Sequence, residues 1–379
     1  MRILHVTPSF FPATRFGGPI FSTYGLCNAL AASPGIEIRV LTTDTSGRES
    51  AQRLEPRVAG ARSLNGYAIR YCRKSVGADF SLPMLAVLPS AIRWADVVHL
   101  TGVYSSPTLP TLAFCRILRR PIVWSPRGAL QRWQGSTRPA LKAVWEGACR
   151  LTSPSSMVLH VTTDEEGKAS KSRMPNAALA VIPNGVDCPA SLPGKSRDPM
   201  APLHVLYMGR IHPIKAIDNL LRAIARSAPG AARLLICGEG DARYTARLLE
   251  LARELALEDR VEFAGHVEGE RKREAFLRAD VLVLPSHSEN FGVAAAEALA
   301  YGVPVIAARG TPWKELETRG CGLWTENTPE ALAAAIQSLA RADRAAMGAK
   351  GREWAREAFA WPVIASKMVA VYAESMARC

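Results

Sequence analysis

Several protein classes are argued against by what this chain lacks. It has no run of eighteen apolar residues, so no ordinary membrane span is expected. The opening segment Met1-Arg2-Ile3-Leu4-His5-Val6-Thr7-Pro8 meets a proline after a short apolar stretch, and without a long apolar core no signal peptide is expected. None of the 8 cysteines (27, 72, 115, 149, 188, 237, 321 and 379) belongs to a Cys-x-x-Cys pair. Neither a disulfide framework nor a zinc site is therefore expected; reduced, mostly buried thiols in a cytoplasmic protein are. No Gly-x-x-x-x-Gly-Lys-Ser/Thr loop occurs, which argues against an NTPase. No Asp-x-Asp ends a strand, so neither a metal nor another cofactor is expected. Solenoid repeats and low-complexity tails are missing too.

What remains is an ordinary globular composition, 48% hydrophobic and 21% charged, in a chain of 379 residues that is too long for one core. The charge is unevenly divided. Residues 1–185 carry 22 Lys+Arg against 10 Asp+Glu, and residues 186–379 carry 25 against 24. A net of +12 on the first half suggests an anionic partner there: nucleic acid, an acidic membrane face or a phosphorylated lipid. Arginine-rich composition bias is the plain alternative.

Short apolar runs alternate with helical stretches. Ile3–Thr7, Glu37–Leu41, Tyr67–Tyr71, Val97–Leu100, Ile122–Trp124 and Met157–Val161 read as strands, and a helix is expected from about Ile20 to Ala32. Residues 44–66 read as a long exposed loop. The segment Ala190–Pro199 reads as a linker, after which strands resume at His204–Gly209, Leu234–Gly238, Val261–Phe263 and Val281–Leu284, with Val305–Ala307 completing the series. Strands alternating with helices mean parallel sheets covered on both faces, hence an α/β chain with two doubly wound domains and ligands at the carboxyl ends of the strands.

One stretch concentrates the chemistry. After the apolar run Val281–Leu284, the sequence Pro285-Ser286-His287-Ser288-Glu289-Asn290-Phe291-Gly292 leads into the alanine-rich helix that begins at Val293 and contains Glu297. Glu289 in the loop and Glu297 on the second turn can face one ligand. Between them the amides of Phe291, Gly292 and Val293 open the positive end of a helix, which suits a phosphate. A phosphate site flanked by two carboxylates fits a nucleotide sugar. A second loop, Met208-Gly209-Arg210-Ile211-His212-Pro213-Ile214-Lys215-Ala216, brings an arginine fork and a lysine point charge close together, a match for a diphosphate.

Glu-Asn-Phe-Gly-Val-Ala-Ala-Ala-Glu followed by Ala-Leu-Ala-Tyr-Gly-Val-Pro-Val-Ile-Ala resembles the signature of retaining glycosyltransferase family 4. That resemblance implies the GT-B fold, two Rossmann-like domains facing a central cleft. The implied domains are an acceptor-binding one at 1–185, joined by a C-terminal helix at 362–379, and a nucleotide-sugar-binding one at 186–361. It also implies that Arg210 and Lys215 grip the donor phosphates, with Ala216 standing where glycine is common. Gly238 lies near the nucleotide and His266 and Val267 near its base, while Gly17 and Gly18 lie beneath diphosphate and acceptor. Asn290 belongs with the donor-binding stretch. Family members often show His-x-His where this chain has His99-Leu100-Thr101, so His99 has two readings, a contributor to the reaction centre or a core histidine. Arg127, in Pro126-Arg127-Gly128, joins Thr101 on the acceptor side, and Trp124–Leu130 resembles a polysaccharide-assembly branch.

The resulting expectation is a hexose-type transfer, with retention of configuration, from a nucleotide sugar to a glycan or polyprenyl-diphosphate-linked acceptor in bacterial cell-surface polysaccharide or lipopolysaccharide synthesis. Glu289 would hold the sugar's hydroxyls and Glu297 the ribose. Arginines mixed with apolar residues at Arg116–Arg120, Leu130–Trp133 and Lys142–Trp145 suit either an anionic membrane surface, with the protein peripheral on the inner face of the cytoplasmic membrane, or a solvated basic face. A GT-B-like nucleotide-sugar epimerase, a phosphorylase and a non-enzymatic nucleic-acid binder are the rival readings. Nucleic acid is not an expected partner, since such a binder gives no reason for Arg210, Lys215, Glu289 and Glu297 where they stand.

Overall fold

The computed structural model describes residues 1–47, 52–55, 60–77, 79–131, 138–194, 201–228 and 230–378, and the chain divides into two units. The first comprises residues 1–185 and 361–379, the second residues 186–360. Part of the expected linker (195–199) and the Arg132-Trp133 pair lie outside the described residues.

The first unit is an eight-stranded sheet. Its strands are β1 (Arg2–Val6), β2 (Glu37–Thr43), β3 (Gly60–Leu64), β4 (Tyr67–Cys72), β5 (Val97–Thr101), β6 (Ile122–Ser125), β7 (Val158–Val161) and β8 (Ala178–Val181). They lie in the order β3-β4-β2-β1-β5-β6-β7-β8, parallel except where β3 pairs antiparallel with β4. Every residue of β5, β6 and β7 is buried, as strands covered on both faces require.

The reading of residues 44–66 as an exposed loop is corrected. Within it β3 forms an edge hairpin on β4, and Asp44 and Thr45 are buried. Asp44 accepts the Lys74 backbone N–H at 2.8 Å and lies 3.7 Å from Arg53, so the polar composition serves a local charge network.

In the second unit six strands are all parallel: β9 (Leu203–Met208), β10 (Ala232–Cys237), β11 (Val261–Gly265), β12 (Val281–Leu284), β13 (Val305–Ala308) and β14 (Gly322–Thr325). The series does not end at Val305–Ala307, because β14 adds a further edge strand. The order β11-β10-β9-β12-β13-β14 is that of a doubly wound nucleotide-binding sheet, whose winding order reverses between β9 and β12. The covering helices show the expected spacing: Ile217–Ala225 buries Ile217, Leu220, Leu221 and Ile224. Helix starts carry side-chain caps, Asp241 accepting from the Tyr244 N–H at 2.7 Å and Thr328 from the Ala331 N–H at 3.2 Å.

The last helix, Trp361–Ala377, packs in the first unit and buries Ile364, Met368 and Tyr372. Trp361 fits where glycines leave room. A Cβ built on Gly25 or on Gly185 would stand 2.1 Å from its ring. Gly25→Ala is therefore expected to cost about 1–3 kcal/mol through overpacking. At about 2–4 °C per kcal/mol for a domain of this size, a thermal melt should show a fall of several degrees, and an unchanged Tm would contradict this packing.

Candidate active site

In a parallel sheet all carboxyl ends share one edge, so the loops after β9, β10, β11, β12 and β13 gather there. The first two approach through glycine. A Cβ on Gly238 would lie 1.8 Å from the Gly209 carbonyl oxygen, and one on Gly240 would lie 1.9 Å from that of Ile211. The Ile211 N–H donates to Glu239 O at 3.0 Å and the Asp241 N–H returns to Ile211 O at 2.9 Å. Cys237-Gly238-Glu239-Gly240 thus clamps the Arg210 loop rather than merely turning.

Arg210 follows β9 and is exposed, its carbonyl accepting from the buried Tyr207 hydroxyl at 3.0 Å. Lys215 ends a short 3-10 turn, Pro213–Lys215, that His212 caps. Ala216 then takes a left-handed φ of 48°, which accounts for glycine being common there: the turn demands the conformation and alanine accepts it at some strain. From this turn the Lys215 ammonium pairs directly with the Glu289 carboxylate. The side chains are 17% and 10% exposed, a largely desolvated pair. Ser286 Oγ donates to the same carboxylate oxygen at 2.7 Å. Tyr207 lies in the same field. Burial pushes its phenol well above the ordinary range, Glu289 pushes the same way and Arg210 opposes.

The loop after β12 is fixed on both sides. The His287 N–H donates to Ile214 O at 2.8 Å and the Glu289 N–H to Gly310 O at 3.2 Å. Gly292, with φ 81°, turns the chain into the helix Val293–Ala300, and a Cβ there would lie 2.9 Å from Leu284 Cδ2. Phe291 is buried, and its carbonyl accepts from Trp313 Nε1 at 2.6 Å. The Ala295 N–H donates to the Gly292 carbonyl at 2.9 Å, and the amides before it open the positive end of the helix, which suits an anion. On its second turn Glu297 pairs with Lys272 at 2.6 Å. Asn290 and Val293 are half-buried beside these groups, as is Val267 after β11. His266 is exposed and bonds Glu268 at 2.7 Å.

Arg210, Lys215, Gly238, Glu289, Asn290, Phe291, Gly292, Val293, Glu297, His266 and Val267 thus all lie on strand exits, or on the helix that follows one, at a single sheet edge. Ser286 and Lys272 were not among the candidates. Ser286 stands three residues before Glu289, a spacing that could have flagged it. Lys272 lies on a separate helix 25 residues from its partner, with no local signal.

The first unit's candidates fall differently. Gly17 has φ 75° at the start of the helix Gly18–Ala31, and no atom lies within 4 Å of a Cβ built on Gly17 or Gly18. His99 is fully buried, and its bonds can be assigned from one end. The Ile182 carbonyl only accepts, so His160 Nε2 donates to it at 3.0 Å, and His160 Nδ1 accepts from the Ser125 hydroxyl at 2.7 Å. Ser125 Oγ then accepts from His99 Nε2 at 2.7 Å, and His99 Nδ1 accepts from the Tyr372 hydroxyl at 2.5 Å. Both ring nitrogens are engaged inside the core. Of the two readings of His99, this burial and bonding favour the core one.

Thr101 is also buried and bonds His5 Nε2 at 2.8 Å. Arg127 takes φ 55° after β6 and donates from Nη1 to Asn184 Oδ1 at 2.5 Å. Burial lowers its pKa from the ordinary arginine value, with Glu166 opposing. Glu166 itself accepts from the Gly128 N–H at 2.5 Å and the Thr162 N–H at 2.7 Å. Thr101 and Arg127 thus belong to the packing at this sheet's carboxyl edge. The cysteines 27, 72, 115, 149, 237 and 321 are buried free thiols, and Cys188 is half-buried. Among the described residues no helix is long and apolar enough to cross a membrane.

Burial holds His5 and His160 at about 3, with the Arg127 charge pushing the same way, and His99 well below its ordinary value. Unfolded histidines take protons near pH 6.5, so below that pH the unfolded chain binds protons that the fold refuses. The stability these groups contribute is complete above pH 6.5 and is lost as pH falls toward 3. The slope tends to about 1.4 kcal/mol per pH unit for each histidine. Urea melts at pH 7.5, 6 and 5 should show a falling midpoint for the first unit; a flat profile would contradict the neutral network.

Residues 16–189 match the family described as Glycosyltransferase Family 4, and residues 192–354 match Glycosyl transferases group 1. The D-inositol 3-phosphate glycosyltransferase of Mycolicibacterium smegmatis is 30% identical over 411 residues, covering 98% of this chain and 90% of that protein. The protein of the same description from Mycobacterium marinum is 33% identical over 231 residues, covering 56% of this chain but only 49% of that relative, about half its length. Among solved structures, HepE of Anabaena in complex with UDP and glucose superposes with a TM-score of 0.74 at 18% identity, over 99% of this chain and 100% of that one. At that identity the likeness concerns the fold.

Proposed function

The chain belongs to the glycosyltransferases of the group 1 and family 4 type, and from that premise we propose that it moves a hexose-type sugar, with retention of configuration, from a nucleotide sugar to a glycan or lipid-linked acceptor in cell-surface polysaccharide synthesis. The observation that carries this reading is the convergence at the switch point of the second sheet. There Arg210 and Lys215 leave β9, Glu289 leaves the adjacent β12, and Lys215 and Glu289 are in contact. Open α/β sheets bind nucleotides at such a point. The UDP and glucose in the HepE complex support a uridine diphosphate sugar as the donor to test first.

The chemistry follows from charge. The bond from the anomeric carbon to the diphosphate oxygen breaks with its electron pair staying on the diphosphate. In this scheme Arg210, Lys215 and the opening amides of the helix Val293–Ala300 stabilise that developing negative charge. An acceptor hydroxyl forms the new bond on the same face, and the departing phosphate oxygen takes its proton. Glu289 accepts from the sugar's hydroxyls and Glu297 from the ribose. In this scheme the two cations perform the neutralisation, so no metal is called for.

Radiolabelled transfer from UDP-glucose or another nucleotide sugar, with candidate acceptors, tests the scheme. Lys215→Ala and Glu297→Ala should each lower turnover at least 100-fold while circular dichroism shows the fold retained, with a lowered Tm because each leaves a partner charge unpaired. An epimerase would instead convert the nucleotide sugar in the absence of any acceptor. Near-normal turnover in either variant would refute the assignment of the site.

Treatment with EDTA should leave wild-type activity within about twofold, the scale on which electrostatic assistance of this kind is not lost. Loss of activity restored by a divalent cation would refute neutralisation by Arg210 and Lys215 alone.

A further inference from the structure

At the carboxyl end of β5 the first unit has a cavity of about 430 Å³, a size suited to a small organic group. One wall is the turn Tyr104-Ser105-Ser106, and the other is the start of the helix Pro139–Thr152, with Arg138, Leu141, Lys142 and Trp145. The polar ends of the two rings are engaged elsewhere. Trp145 Nε1 donates to Val103 O at 2.8 Å and the Tyr104 hydroxyl to Glu146 Oε1 at 2.5 Å. What the rings offer the cavity is carbon. Lys142 Nζ stands 5.3 Å from the Tyr104 ring centroid, and Arg138 is exposed at the mouth.

Beyond the mouth the same helix is apolar where it meets water. Only Glu146 and Cys149 of its 14 residues are buried, while Leu141, Val144 and Leu151 are 60%, 71% and 75% exposed. Ile117, 70% exposed, ends the adjacent helix, and its neighbour Arg116 donates to the Leu151 carbonyl. Between Thr101 and Thr152 the chain has eight Lys/Arg and a single acid, the buried Glu146. Asp79, half-buried behind the wall, is occupied by the Ser106 N–H at 3.1 Å, and apolar side chains in water beside cations are the chemistry of a surface that meets an anionic amphiphile. A soluble phosphosugar would use the cations and leave the aliphatic stripe without a role.

We propose that this cavity and stripe seat a phosphate-headed lipid, the membrane-held end of the acceptor. The phosphate lies between Arg138 and Lys142, and the hydrocarbon chain lies along Leu141 and Val144. The assignment rests on the transferase reading above and gives its acceptor a chemical class.

Sedimentation with three kinds of vesicle tests it: phosphatidylcholine alone, phosphatidylcholine with polyprenyl phosphate, and phosphatidylcholine with phosphatidylglycerol at equal surface charge. The protein should bind the polyprenyl phosphate vesicles at least tenfold more tightly than the other two. Leu141→Asp, and Arg138→Gln combined with Lys142→Gln, should each remove that preference while circular dichroism melts stay unchanged. Equal binding to the phosphatidylglycerol vesicles would mean general adsorption to negative charge and would overturn the proposal. So would binding that survives in both variants, or no binding to any vesicle. Thermal stabilisation by UDP is measured in parallel: if it persists while lipid binding fails, the lipid assignment alone falls, and if UDP has no effect on the wild type, the donor reading falls.

Discussion

Strand polarity is the constraint on which the candidate site depends. Six parallel strands deliver their carboxyl ends to one edge, and a winding order that reverses between β9 and β12 sets two exits side by side. Lys215 and Glu289 are 74 residues apart in sequence and meet only because those two strands are neighbours. The pair is mostly out of water, so it is poor evidence for stability, since desolvation offsets most of its Coulombic attraction. Its value is positional. The 3-10 turn, the Ser286 hydroxyl and the clamped loop after β12 hold a lysine and a carboxylate in place before any ligand arrives, which is what electrostatic preorganisation requires.

The same arrangement gives each carboxylate a lysine: Glu289 with Lys215, and Glu297 with Lys272. A desolvated carboxylate without a partner would be costly, and each lysine offsets that cost by direct contact. In the proposed reaction a diphosphate competes for Lys215 while sugar hydroxyls replace it on Glu289. The exchange conserves the number of charge-assisted bonds, and much of the donor's recognition becomes partner substitution rather than new contact. Tyr207 beneath the pair, its phenol kept protonated by burial, adds a fixed dipole instead of a titrating group.

Much of this was legible in the sequence because it is local. The apolar runs of β9 and β12, the glycines at 238 and 240, and Glu289 with Glu297 across one loop and two helical turns all carry their meaning within ten residues. Ala216 illustrates the limit of that legibility: its departure from glycine is visible in sequence, but its left-handed backbone is not. Short edge strands such as β3 and β14 were missed because four or five residues give too little alternation, and polar neighbours disguised β3 as loop. His99 could not be decided from sequence. Its fate depends on Tyr372, 273 residues away on the last helix, and on Ser125 and His160 across two further strands. Lys272 stayed invisible for the same reason, since a lysine on a charged surface helix has no signature of the carboxylate it faces.

Net charge, by contrast, was legible in full; what the structure adds is where the acids sit. Of the ten acids that offset the cations of residues 1–185, Asp44, Glu146 and Glu166 are buried in internal networks. Asp44 serves Lys74 and Arg53, Glu146 the Tyr104 hydroxyl, and Glu166 the backbone at Gly128 and Thr162. Acids used this way still count in the net charge, but they are withdrawn from the exposed face that a ligand meets. The exposed arginines at 116, 119, 138 and 150 therefore meet solvent directly, while these three acids do not. A surface potential of this sign concentrates anionic partners near the first unit over roughly a Debye length, about 8 Å at physiological salt. It acts most on a ligand that is itself confined to a surface, since a lipid phosphate in a bilayer presents many equivalent charges to one basic face. Composition bias explains the number of arginines; it does not explain why the acids among them were drawn into the core.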